Sequence, residues 1–242
     1  MTLAQLLHGF FNFLGTIEGE LLKTAVELIF FTIVLYMVIS EWIRSREKEH
    51  KFLVIAFSAL VLDKLFTVYF LANYVFAHAD PYFWTLDTLH NFFEIFALFL
   101  LANAFVYPIM KQKGIHARHF IAERALMIFG VGFIMSLFML AILDLMGGSL
   151  ADFWTNTSVN VGELMVLWYY SWYILTNLKC PLKYRRNIVF AFLIYAVNPI
   201  IETFNIMFYS NTNASLDVAS QPFPFISIMI FTQVVYLRSN RR

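Results

Sequence analysis

Asp87, His90, Asn91 and Glu94 stand at i, i+3, i+4 and i+7 in the stretch Asp87-Thr88-Leu89-His90-Asn91-Phe92-Phe93-Glu94. On an α-helix those spacings put all four side chains on one face. An imidazole beside carboxylates can pass a proton, hold a cation or ligate a metal. The flanking residues are Phe, Leu, Ile and Ala, and ionisable groups in so apolar a setting are costly enough to mark a functional site by default. Other apolar stretches carry similar groups: Asp63 and Lys64, Asn160 and Glu163, Asn198 and Glu202. Together these residues form the candidate ligand-binding set. Within it His90, Glu94, Glu163 and Glu202 could hold a hard or borderline cation such as iron, manganese or zinc. No catalytic motif accompanies them.

The elements that must position these residues are membrane helices. The chain has 242 residues, 60% hydrophobic and 14% charged, with a mean hydropathy of +0.69. Apolar runs of roughly 18 residues or more mark membrane helices. The runs do not alternate polar with apolar, as the strands of a membrane β-barrel would. They predict seven spans, at about 21–43, 52–76, 82–109, 121–146, 153–178, 187–209 and 223–237. Residues 1–20 contain no Lys or Arg and so lack the basic start of a signal peptide. Leu3, Leu7, Phe10, Leu14, Ile17 and Leu21 recur there at helical spacing, which predicts an amphipathic helix in the interface or on the bundle. The expected fold is all-α: an amphipathic helix over 1–20, then a polytopic seven-transmembrane-helix bundle over 21–242.

Charge sets the expected orientation. Of the 17 Lys and Arg residues, all but Lys23 and Lys64 follow the first, third, fifth or seventh span. By the positive-inside rule the N-terminus is outside and the C-terminus cytoplasmic. A single cysteine, Cys180, excludes an intrachain disulfide. With a net charge of +1 and no basic tract, nothing points to a nucleic-acid partner.

Depth can be counted at about 1.5 Å per residue. Asp63, Lys64, Glu94, Glu163 and Asn198 fall near the bilayer midplane. His90, Asp87, Asn160 and Glu202 fall outward of it, and Lys23 and Glu27 join them from the first span. The inner halves of these spans are almost wholly apolar. Polar groups that merely tie helices together would scatter over depth, whereas a cavity open to the outside would concentrate them this way. Taken singly, Asp63, Asn198 or Asn205 is more simply an interhelical hydrogen-bonding residue, and His90 a hydrogen-bonded core histidine. Adjacent helical positions point about 100° apart, so Lys64 is expected to reach a carboxylate on another helix rather than Asp63. Pro199 is expected to bend its span. The run Trp168-Tyr169-Tyr170-Ser171-Trp172-Tyr173 reads as an interfacial belt.

Several seven-span classes fail on residues. A retinal protein needs a lysine in the last span, and residues 222–237 have none. The seven-span metal hydrolases need several intramembrane histidines, and only His90 lies at depth. The segment Leu89-His90-Asn91-Phe92-Phe93-Glu94-Ile95-Phe96-Ala97, with the later Ala104-Phe105, resembles the polytopic membrane input modules of bacterial sensor histidine kinases and diguanylate cyclases. That resemblance implies a sensory or receptor module of about seven helices that signals to a cytoplasmic transmitter. The ligand, a small molecule, cation or protons, would enter the polar cavity from outside, and the last span would carry the signal inward. The 242 residues contain no ATPase or cyclase sequence, so a kinase or cyclase transmitter is expected on a partner or on sequence beyond this chain. The lipid bilayer and a second copy of the chain, as a homodimer, complete the candidate partners. Short loops and the lack of sorting signals make a bacterial inner (plasma) membrane the expected location. Two alternatives use the same residues: an intramembrane metal-dependent hydrolase or oxidoreductase, and a proton- or cation-coupled carrier.

Overall fold

A computed structural model describes residues 9, 13, 16–77, 83–114, 121–126, 158–177, 185–209 and 222–239. The principal helices in chain order are α1 (Ile17–Ser45), α2 (Lys48–Ala77), α3 (Phe83–Gln112), α4 (Ser158–Thr176), α5 (Arg185–Tyr209) and α6 (Pro222–Ser239). Residues 121–126 are helical as well, and there is no strand among the described residues. The all-α expectation holds. Four segments, Ile17–Ser45, Lys48–Phe76, Phe92–Gln112 and Arg186–Asn205, are long and apolar enough to cross a membrane. They carry the first, second, third and sixth expected spans. The fifth corresponds to α4, of 19 residues, and the seventh to α6, whose apolar part Pro222–Val234 is shorter. The fourth lies outside the described residues beyond 126, and so does nearly all of the expected amphipathic helix.

Local chemistry sets the ends of α1. Thr16 caps it, its Oγ1 accepting the Gly19 N–H at 3.2 Å and satisfying one of the donors a helix start leaves open. Arg46 ends it in the left-handed region (φ 54°), its N–H bonded to the Trp42 carbonyl at 2.8 Å. Only Arg46 and Glu47 separate α1 from α2. A link so short makes the two helices antiparallel neighbours.

Each helix packs on the next in sequence, α1 on α2 through to α5 on α6. Aromatic rings then bring α6 back to the earlier helices. Phe225 meets Phe30 of α1 at 4.4 Å between centroids, and Phe231 lies between Phe105 of α3 (5.1 Å) and Phe192 of α5 (5.0 Å). Lipid tails are as apolar as Leu, so close packing must hold such helices where the hydrophobic effect cannot. Small buried residues, Ala56, Ala97, Ala102 and Ala191 among them, allow the approach. Gly162 does so between α4 and α3, where a Cβ would meet Ile95 Cδ1 at 3.4 Å.

The exposed surface is apolar. Leu22, Val26, Ile29, Ile33 and Tyr36 form one exposed stripe along α1. In water so long an apolar face would be a docking or aggregation surface; against lipid it is a matched one. The chain is thus a helical membrane protein in contact with a bilayer. Trp168 and Trp172 also point outward, while Tyr169 and Tyr173 lie under Arg124 (5.4 Å) and Lys113 (5.9 Å). Both cations belong to the basic end of the bundle, where an aromatic belt is expected.

The α5–α6 contact separates packing from hydrogen bonding. Ser227 Oγ donates to the Ala191 carbonyl at 2.7 Å, and Phe231 is buried one turn away. Phe231→Ala is expected to cost up to about 3–5 kcal/mol, and Ser227→Ala about 0.6 kcal/mol. Reversible unfolding in mixed detergent micelles measures both, and equal losses would contradict a contact dominated by packing.

Candidate functional site

Most of the candidate polar residues gather at one end of the bundle, while Glu49 and His50 are buried at the other, at the start of α2, and Asn103 and Ser171 in the half between. The gathered residues come from the first half of α1, the second half of α2, the first halves of α3 and α4, and the second half of α5. Contacts of Asp63 with His90 and of Glu94 with Tyr195 bring the halves from α2, α3 and α5 together. Toward the other side the interior is filled by Phe57, Ala102, Phe105, Val106, Met110 and Phe192.

A chain of ionic and hydrogen-bonded contacts joins four helices at the polar end. Lys64 Nζ on α2 lies 3.1 Å from Glu27 Oε2 on α1 and 3.4 Å from Asp63 Oδ2. Asp63 Oδ1 meets His90 Nδ1 on α3 at 2.8 Å. His90 Nε2 lies 3.2 Å from Glu94 Oε2, one helical turn further along α3. Glu94 Oε1 accepts the Tyr195 hydroxyl of α5 at 2.6 Å. On α5, Asn198 Nδ2 donates to Glu202 Oε1 at 2.9 Å. Thus Lys64 does reach another helix, and it approaches its neighbour Asp63 as well.

The geometry constrains the chemistry. His90 faces a carboxylate from each ring nitrogen. A ring with an N–H on both nitrogens satisfies both carboxylates, and a ring with one N–H satisfies only one. The pairs are held where effective dielectric is low, so each contact is stronger than in water and each lost partner is more costly.

These contacts border a cavity of about 370 Å³. Its floor is apolar: Phe31, Leu60 and Ile228 each lie one turn deeper than Glu27, Asp63 and Phe225 respectively. Its walls carry Asp63, Lys64, His90, Glu94, Asn198 and Glu202, six of the ten candidates. Asn160 and Glu163 are buried on α4 but do not line it. Glu163 is 2% exposed, and among the described residues neither its Oε1 nor Asn160 Nδ2 has a hydrogen-bond partner. Asp87 and Asn91 belong to α3, and their side chains fall outside the described residues. No three His, Cys, Asp or Glu side chains among the described residues converge as a metal-ligand set.

Sequence reasoning left Tyr195 and Glu20 out of the site, and placed Lys23 and Glu27 near its depth without adding them to the binding set. Tyr195 lines the cavity and holds Glu94. Its spacing of three from Asn198 and seven from Glu202 was the available signal, masked because a tyrosine in an apolar run reads as belt or core. Glu20, Lys23 and Glu27 line the α1 side, with Lys23 paired to Glu20 at 2.6 Å. Pro199 does not interrupt α5. Its missing N–H deprives the Tyr195 carbonyl of its usual donor, and Thr203 Oγ1 donates to the Pro199 carbonyl at 2.6 Å.

Searches against protein-family models, curated proteins and solved structures find no match to this chain.

Lys64→Met would strand Glu27 and Asp63 together, an expected loss of about 3–5 kcal/mol. Tyr195→Phe removes one hydrogen bond to a charged group, about 1.5–3 kcal/mol. Unfolding titrations should therefore place Lys64→Met well below Tyr195→Phe. The reverse order would mean that hydrogen bonding, not charge compensation, holds the site.

Proposed function

We propose that the chain is a membrane sensory or receptor module whose polar cavity binds a small ligand, cation or protons from outside. In this reading it is a seven-span bundle, N-terminus outside and C-terminus cytoplasmic, in a bacterial inner membrane. One observation carries it: a cavity walled by charged groups from α1, α2, α3 and α5, with an apolar floor over a closely packed apolar half. A binding site for a signal needs access from one side only, and this arrangement supplies it.

Charge distribution supports the orientation. Of the 16 acidic residues, only Glu41, Glu47, Glu49 and Glu123 accompany the basic loops. Lys23 and Lys64 are the only Lys or Arg at the cavity end, and residues 127–157 and 210–221 contain no Lys, Arg or His. The result is a basic cytoplasmic face and an acidic outer one. An inward signal path is also at hand. Phe225 and Ile228 of α6 line the cavity, and the same helix runs through Phe231 to Arg238 and Ser239. A ligand that shifts α6 against α1 and α5 would move its cytoplasmic end, where a kinase or cyclase transmitter would read it.

The metal-enzyme alternative asks His90, Glu94, Glu163 and Glu202 to surround one ion. The geometry favours the receptor instead, because both His90 nitrogens turn to carboxylates. A carrier would need a second polar half, toward the cytoplasm, that the packed core does not offer in this conformation.

Cysteine labelling tests the reading. In a Cys180→Ser background, Thr67→Cys places a thiol on the cavity wall and Ala102→Cys places one in the apolar half. A membrane-impermeant maleimide should label Thr67→Cys from outside only and leave Ala102→Cys untouched. Labelling from the cytoplasmic side alone would overturn the orientation, and labelling of Thr67→Cys from both sides would favour a carrier.

A further inference from the structure

The charge on the cavity wall is not balanced. Its described lining holds five carboxylates, Glu20, Glu27, Asp63, Glu94 and Glu202. Against them stand Lys23, Lys64 and His90. Even with His90 counted as a cation, two negative charges remain. Behind the wall Glu163 adds another carboxyl, 2% exposed, with an oxygen that has no hydrogen-bond partner among the described residues. Asp63, also 2% exposed, has an Oδ2 that accepts no hydrogen bond although Lys64 Nζ stands 3.4 Å away. An excess of carboxylates over cations in the described lining favours a positively charged occupant over a neutral or anionic one.

Size and lining narrow its class. A bare metal or alkali ion fills a small fraction of about 370 Å³, whereas organic ligand sites begin near 300 Å³. The lower wall and floor are Phe31, Leu60, Phe225 and Ile228, which offer an ion nothing and an alkyl or aryl group a close fit. Phe31, Phe225 and Tyr195 also provide ring faces for a cationic head. The acidic outer end would raise the local concentration of any cation approaching it.

We propose that the cavity binds a small organic cation, with its ammonium head among Asp63, Glu94 and Glu202 and its apolar body against Phe31, Phe225 and Ile228. This rests on reading the cavity as a ligand site and adds the ligand's chemistry.

The test is binding to the full chain in lipid nanodiscs, followed by calorimetry and thermal unfolding. The probes are choline and phenethylamine, their neutral counterparts dimethylbutanol and phenylethanol, the anion phenylpropionate, and sodium chloride. At least one of the two amines should bind at millimolar concentration or tighter, and its neutral counterpart about tenfold more weakly or not at all. Glu202→Gln should weaken the amine about tenfold, as expected for a lost hydrogen bond to a charge. Ile228→Trp, which fills the floor without touching the ion pairs, should abolish binding while still unfolding cooperatively, at a lowered temperature because the site is closely packed. Equal binding of amine and alcohol, or binding of the anion or of sodium alone, would overturn the organic cation while leaving a ligand cavity in place. Amine binding that survives Ile228→Trp would put the site elsewhere and overturn the proposal. Failure of both amines to bind would overturn it too. The labelling of Thr67→Cys decides the cavity itself independently of all these outcomes.

Discussion

A charge deep in a bilayer has no water to turn to, so its partner must come from another helix. In this protein Lys64 meets that constraint by reaching Glu27 on α1 while approaching Asp63 on its own helix. Asp63 in turn meets His90, His90 meets Glu94, and Glu94 accepts Tyr195. The rotation of α1, α2, α3 and α5 about their axes is therefore fixed by the requirement that these atoms meet. Packing alone would fix it less tightly, because the interface residues below are small or aromatic and tolerate several registers.

The same chain separates two halves with different work. Below it, Ala and Phe residues pack densely around a few polar groups, among them Asn103, whose amide donates to the Phe99 carbonyl at 2.8 Å, and His50, whose Nδ1 lies 2.9 Å from Ser45 Oγ at the far end. Above it, the helices stand around an open volume with charged walls. A rigid lower half and a polar upper half suit a protein that registers an occupant from one side. Like α1, α2, α3 and α5, α6 spans both halves, from Pro224 at the cavity to Phe231 in the core. Its position explains how a change in the cavity's occupant could be felt at the far end of the bundle.

Much of this was legible before any coordinates. Apolar runs located the described membrane helices, and counting rise per residue placed Asp63, Lys64, Glu94 and Asn198 at a common depth. The depth argument works because every membrane helix advances by nearly the same amount per residue. What it cannot supply is rotation. That His90 turns to Asp63, 27 positions away, rather than to Glu163 depends on how α2, α3 and α4 face one another. For the same reason Asn160 and Glu163 were grouped with the cavity by depth, yet they sit behind its wall. Tyr195 was missed because its type fits a membrane core, and only its hydroxyl, directed to Glu94, makes it part of the site. Glu27 was visible as a charge in the outer half of its span, but its role as the partner of Lys64 was not.

The account rests on the ionic chain being an energetic unit, and a double-mutant cycle between Asp63 and His90 tests that most directly. Asp63→Asn, His90→Gln and the double variant would be compared with wild type by reversible unfolding in mixed micelles. The account predicts a coupling energy clearly above the ~0.6 kcal/mol average for polar contacts between membrane helices. Losses that add to within about 0.3–0.5 kcal/mol would mean that the two residues are neighbours without being partners, and the site as described would not stand.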